Sequence, residues 1–157
     1  MLDVKYSMGS SIGIASGLAR SGVRDKIMAV TGDSAFFHTG LNGLVNAAHH
    51  QADIIVVVMD NGTVALTGFQ EPTGAGATAM GQKVEMIYPE KVAEALNIGH
   101  VCVLDAFEKP AIARALQACF SHKGLSFLVV RGRCPYIESK QCRVTNERLP
   151  QKPAENE

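Results

Sequence analysis

The chain has 157 residues, of which 46% are hydrophobic, 19% charged and 15 glycine, a balance that fits one α/β domain with a single core. Fifteen basic and fifteen acidic residues cancel, which excludes the strongly basic surface that holds nucleic acid or an anionic membrane. No apolar run reaches bilayer-spanning length and the N-terminus lacks a signal-peptide core, so the expected setting is the cytoplasm.

Ser7–Arg20 opens with small residues and continues through Ile12, Ile14 and Leu18; it reads as a glycine-rich turn entering a tightly packed helix. Gly9, Gly13 and Gly17 are spaced by four, so the dinucleotide fingerprint is absent. Glycine here permits close backbone approach, either to a ligand or to a neighbouring element. Lys26–Thr31 is a strand, Gly32–Gly40 follows it, and Leu41, Leu44, Val45 and Ala48 predict a helix over Leu41–His50. Asp53–Met59 is the second strand. Thr67–Gly81, rich in Gly, Thr and Ala, reads as a mobile active-site loop without a regular element. Tyr88–Leu96 is a helix starting at Pro89, and His100–Leu104 a short strand. Lys109–His122 is an amphipathic helix with Ile112, Ala115, Leu116 and Phe120 inward, and Leu125–Arg131 the last strand. The expected organisation is one domain over 1–135 and a polar tail or partner-binding arm over 136–157.

Near-continuous β-branched runs with a helix between them predict a mostly parallel sheet with helices on both faces. Cys102, Cys119, Cys134 and Cys142 are too scattered for a paired-cysteine metal or cluster site and read as free or buried thiols. In an open α/β sheet, ligands bind at the carboxyl ends of the strands. Asp33 and Asn61 each directly follow a strand, so both are expected at that edge. A carboxylate and an amide oxygen there suit Mg²⁺ holding phosphate oxygens, which makes a diphosphate cofactor the leading reading. A helix-capping Asp at a strand–helix junction is the plainer alternative.

Gly32-Asp33-Ser34, followed by Asn61-Gly62-Thr63, resembles the Gly-Asp-Gly…Asn motif of the diphosphate-binding domain of thiamine-diphosphate enzymes. Ser7-Met8-Gly9 with Gly17 resembles the glycine segment that precedes it. Phe36-Phe37-His38-Thr39-Gly40 and the run from Asp60 to Gln70 are similar to 2-oxoacid:ferredoxin oxidoreductases, most of all to the thiamine-binding subunit of indolepyruvate oxidoreductases. The resemblance covers about residues 7 to 135. It implies that Asp33, the Asn61 amide oxygen and the Thr63 carbonyl ligate Mg²⁺. It further implies that Gly32, Ser34, Ala35, Val64, Ala65 and Leu66 line thiamine diphosphate, with Met8 and Gly9 approaching from the other side.

Three departures accompany it. Ser34 stands where glycine is commonest, the cysteine-bearing segment that usually precedes the glycine turn is missing, and no cluster-binding cysteines follow Cys134-Pro135. The chain is therefore expected to be a fragment or one subunit of a split enzyme. Other subunits would supply the activating glutamate and iron–sulfur clusters, and coenzyme A would take the acyl group. The implied activity is oxidative decarboxylation of a 2-oxoacid, aromatic by resemblance. A non-oxidative split decarboxylase and a scaffold that binds no cofactor are the alternatives.

His38 is the candidate catalytic acid or base, or carboxylate binder, against a histidine packed at a helix start. Thr67 and Gln70 touch substrate or merely hold their loop.

Overall fold

The computed structural model describes residues 5–134. The expected arm over 136–157 and Cys142 lie outside them. Helix α1 (Ser11–Arg20) precedes strand β1 (Ile27–Gly32), a first helical turn α2 (Asp33–Ala35), a π turn (Phe36–Gly40) and α3 (Leu41–His49). Then come β2 (Ile54–Asp60), a 3₁₀ turn (Ala65–Thr67), α4 (Pro89–Ala95), β3 (His100–Asp105), α5 (Lys109–Ser121) and β4 (Ser126–Arg131). The four strands are all parallel in the order β1-β2-β4-β3, as crossovers through helices require.

Alternate residues of each strand divide the core into two layers. On one face Ala29, Ile54, Val56, Val58, Phe127 and Val129 pack with Ile12 and Ala15 of α1, Leu44 and Ala47 of α3, and Ala93 of α4. On the other, Ile55, Val57, Leu128 and Val130 meet Cys119, Ile112, Ala115 and Leu116 of α5. Fully burying one such side chain contributes roughly 1.5–3 kcal/mol, so the central strands β2 and β4 carry the fold. α1 and α3 cross closely because Gly43 leaves room: a Cβ there would lie 3.2 Å from the Gly13 nitrogen.

Several expectations shift. The helix expected from Leu41 begins at Asp33, because Asp33–Gly40 is itself helical and includes the π turn. Phe120, expected inward, is 51% exposed; Cys119 takes the inward position, as a phase error of one residue on a helix produces. β1 is covered on one face only among the described residues, leaving Met28 and Val30 half exposed. The glycine-rich segment holds no helix or strand beyond the 3₁₀ turn, as expected, yet it is tied down by the residues that follow it. It folds back on itself, Val84 N–H donating to the Gly76 carbonyl at 3.0 Å and Ile87 N–H to that of Gly74 at 3.0 Å. It then packs against Phe37, to which a Cβ on Gly74 would come within 2.9 Å.

At the amino ends of the strands Lys26 is the tie. Its ammonium pairs with Asp53 and donates to the carbonyls of His122 (2.8 Å) and Gly124 (3.0 Å). The Asp53 carboxylate also accepts the Gly124 N–H at 2.8 Å.

Candidate functional site

β1 ends at Gly32 and the helical run starts on the next residue, so Asp33 stands where a strand tip meets a helix. Its side chain is buried, 6% exposed. Oδ1 accepts the Ser34 N–H at 2.7 Å and, less closely, the Ser34 hydroxyl at 3.4 Å. Oδ2 accepts the Gly62 N–H at 3.0 Å. That last bond crosses from β1 to the turn after β2, and it brings Asp33 together with Asn61-Gly62-Thr63. The turn depends on Gly62, whose φ of +69° lies in the left-handed region that a side chain disfavours. Asn61 Oδ1 accepts the Thr63 N–H at 3.0 Å, an Asx turn that shapes the same segment. Thr63 is buried and donates its hydroxyl to the Gln70 carbonyl at 3.3 Å.

Burial pushes the Asp33 carboxyl above its ordinary value. The neighbouring charge of Asp60 adds to this, while the N–H groups of Ser34 and Gly62 pull it back. A carboxylate held against its own desolvation and a like charge is one that a cation stabilises. Asp33 Oδ2 and the Asn61 oxygen each accept one bond and retain acceptor capacity beyond it. A carboxylate and an amide oxygen on adjoining turns are hard-oxygen donors, the chemistry that fits Mg²⁺. Among the described residues no three His, Cys, Asp or Glu side chains cluster as a metal cage.

The other expected residues divide. Gly32, Ser34 and Ala35 are half-buried around Asp33. Val64 commits its N–H to the Gln70 carbonyl at 2.9 Å, turning that donor into the loop. Leu66 is 98% exposed on the 3₁₀ turn. Met8, 59% exposed, and Gly9 are docked on the π turn. The Thr39 hydroxyl donates to the Met8 carbonyl at 3.1 Å, and a Cβ on Gly9 (φ +79°) would sit 1.7 Å from Thr39 Oγ1. The close approach that Gly9 permits is thus to a neighbouring element. His38 is exposed on that π turn. Gln70 spends its amide on its own loop: Oε1 accepts the Thr67 hydroxyl and Nε2 donates to the Thr67 carbonyl, both at 2.7 Å.

Sequence reading missed Arg131, the last residue of β4, which pairs in register with Asp60. Its Nε donates to Asp60 Oδ2 at 2.7 Å, while Nη1 and Nη2 form a fork on Glu90 at 3.1 and 2.8 Å. The guanidinium lies 5.4 Å from the centre of the Tyr88 ring, within cation–π range. The available signal was opposite charge at two predicted strand ends, Asp60 and Arg131, but the pairing of β2 with β4 was needed to use it.

The model of the thiamine pyrophosphate enzyme C-terminal TPP binding domain matches residues 4–130. Two curated relatives are indolepyruvate oxidoreductase subunits IorA. That of Archaeoglobus fulgidus is 30% identical over 90% of this chain and 23% of its own; that of Pyrococcus horikoshii is 33% identical over 95% and 25%. The chain spans about a quarter of the length of these relatives. Among solved structures, a 2-oxoglutarate:ferredoxin oxidoreductase from Magnetococcus marinus, bound to 2-oxoglutarate, coenzyme A and succinyl-CoA, superposes with a TM-score of 0.72. It is 20% identical, over 82% of this chain and 46% of that one. A thiamine diphosphate-dependent 4-hydroxybenzoylformate decarboxylase from Rhodococcus jostii gives 0.58 at 18% identity, over 80% and 23%. At these identities both likenesses speak for the fold.

Proposed function

The chain belongs to the thiamine pyrophosphate enzymes through their C-terminal TPP binding domain, and on that premise we propose that it is the cofactor-holding part of a multi-subunit 2-oxoacid oxidoreductase. Asp33, Asn61 and the Thr63 carbonyl would hold Mg²⁺. Gly32, Ser34, Ala35, Val64, Ala65 and Leu66 would line the diphosphate, with Met8 and Gly9 on the opposite side. Thiamine diphosphate supplies, when bound, the electron sink needed to decarboxylate a 2-oxoacid. The observation that carries the reading is the bond from Gly62 N–H to Asp33 Oδ2, which joins the two halves of the oxygen-donor set.

What the chain's own residues do is bind and orient. Asp33 places a charge at the tip of β1, and the Asx turn at Asn61 fixes the direction of the second donor. The paired segment from Gly74 to Ile87 covers Phe37 on the π turn and shields that side from water. His38, exposed on that turn, is the side chain we assign to exchange a proton or bind the substrate carboxylate. The substrate is a 2-oxoacid, an arylpyruvate by analogy with the relatives named for indolepyruvate. Partner chains supply the activating glutamate and iron–sulfur clusters, and coenzyme A takes the acyl group in a cytoplasmic complex.

The test is calorimetric titration of the full chain with thiamine diphosphate and Mg²⁺, alone and in the complex that co-purifies with it. Asp33→Ala should abolish binding while far-UV circular dichroism and assembly persist, and the native complex should contain iron and acid-labile sulfide. Unchanged cofactor affinity in Asp33→Ala would refute the site. A complex without iron would favour the non-oxidative decarboxylase.

A further inference from the structure

Three carboxylates meet at the carboxyl edge of the sheet. Asp33 belongs to the site; Asp60 and Glu90 are held on Arg131. Asp60 directly precedes Asn61, and because Gly32 and Met59 are register partners on β1 and β2, Asp33 and Asp60 are the next residues along two neighbouring chains at the same edge. Its side chain is 17% exposed and that of Glu90 13%, so neither is a freely solvated surface group. A second carboxylate beside Asp33 is what a divalent cation would take as an extra ligand, and affinity in oxygen sites rises with the number of charged ligands. Yet the Asp60 carboxylate is turned onto Arg131 Nε, and its own main-chain carbonyl accepts the Gly132 N–H at 2.9 Å. Arginine suits this task because its planar fork engages two carboxylates at once, one through Nε and the other through both terminal nitrogens. The Tyr88 ring beside the guanidinium and Glu90 on the first turn of α4 keep the fork from swinging.

We propose that Arg131 is a specificity-determining residue that withholds Asp60 from the metal, so that the cation is held strongly only when a diphosphate completes its shell. The inference rests on the cofactor reading above. Asp33 alone contributes one negative charge to the site, and the cation therefore needs the diphosphate's charge. Releasing Asp60 would give the chain a dicarboxylate site that fills with metal alone.

The experiment follows Mn²⁺ binding to the full chain by electron paramagnetic resonance, with and without thiamine diphosphate. In the unaltered chain, thiamine diphosphate should tighten Mn²⁺ binding markedly. Arg131→Met should bind Mn²⁺ alone about ten-fold or more tighter than the unaltered chain, in line with an added charged ligand, and its dependence on thiamine diphosphate should shrink. Arg131→Met with Asp60→Asn should return to weak binding, and Arg131→Lys, which keeps the charge on Asp60, should stay near the unaltered chain. A merely structural Arg131 would instead weaken Mn²⁺ binding in the Met variant, which overturns the proposal. Asp60→Asn alone gives a second reading independent of how Arg131→Met folds. Unchanged Mn²⁺ affinity supports a withheld carboxylate, whereas several-fold weakening shows that Asp60 is already a ligand and overturns it. If thiamine diphosphate has no effect on Mn²⁺ in the unaltered chain, the cofactor reading fails and the inference falls with it.

Discussion

Replacing Gly9 by alanine tests how the Met8–Gly9 turn is fixed against the helical run that carries Asp33. Three costs add. A Cβ in the left-handed region costs roughly 1–2 kcal/mol. The new methyl would lie 1.7 Å from Thr39 Oγ1, so the hydroxyl must leave and its bond to the Met8 carbonyl is lost, a net loss of about 0.5–1.5 kcal/mol. Contacts of 2.8 Å to Thr39 Cβ and 3.1 Å to the Gly40 nitrogen remain, and overpacking of this kind costs roughly 1–3 kcal/mol. Gly9→Ala should therefore lose about 3 kcal/mol or more, a large part of the roughly 5–15 kcal/mol that holds a domain together. At about 2–4 °C per kcal/mol for a chain of this size, Tm should fall by roughly 6–12 °C. Thr39→Ala alone should cost only its hydrogen bond, about 1 kcal/mol. The double variant should cost less than the sum, because the closest clash and the lost bond share one oxygen. Urea unfolding followed by circular dichroism measures all three. Strict additivity, or a loss under about 1 kcal/mol for Gly9→Ala, would refute the contact.

Two further predictions follow from the same reasoning. Gln70→Ala should speed amide exchange and proteolysis of the Thr67–Gln70 turn without substrate present, because both amide atoms close that turn; an effect confined to the substrate KM of the complex would restore a substrate role. Acid should weaken the fold at both ends of the sheet. Burial works to raise the Glu90 carboxyl, but the hydrogen bonds and charge of Arg131 outweigh it, and its value is lowered from 4.5. Asp53 is lowered from 3.8, chiefly by its hydrogen bond from Lys26. A carboxylate lowered on folding contributes stability that is present above its unfolded value and lost as pH falls through the folded one. Stability measured by urea midpoint should thus decline below about pH 4.5, and Glu90→Gln should flatten the upper part of that decline; an unchanged slope would count against the Arg131–Glu90 pair.

Much of this was legible in the residues. The runs before Gly32 and Asn61 are apolar without alternation, which only a strand buried on both faces tolerates, and β2 and β4 obey that rule. β1 does not: Met28 and Val30 read as buried, yet on the second face α5 packs over the other strands, a tertiary fact that no local pattern carries. Asp33 and Asn61 were found because each follows a strand, whereas Arg131 needed knowledge of which strands are neighbours. The helix start was placed at Leu41 because the apolar spacing begins there, while a π turn absorbs Phe36–Gly40 without breaking the helical run that starts at Asp33. Thr67 and Gln70 were ambiguous in sequence, since amide and hydroxyl groups serve a substrate or a turn equally well, and geometry assigned both to the turn.

The Lys26 tie and the Asp33 group occupy opposite rims of the sheet, separated by a six-residue strand, or about 20 Å. That exceeds the Debye length of about 8–10 Å in ordinary salt, so a charge altered at one rim is scarcely felt at the other. Substitutions that change charge at the Asp33 rim can therefore accumulate without loosening the Lys26 rim. Such a division gives lineages sharing this scaffold latitude to change what they act on while inheriting the same foundation.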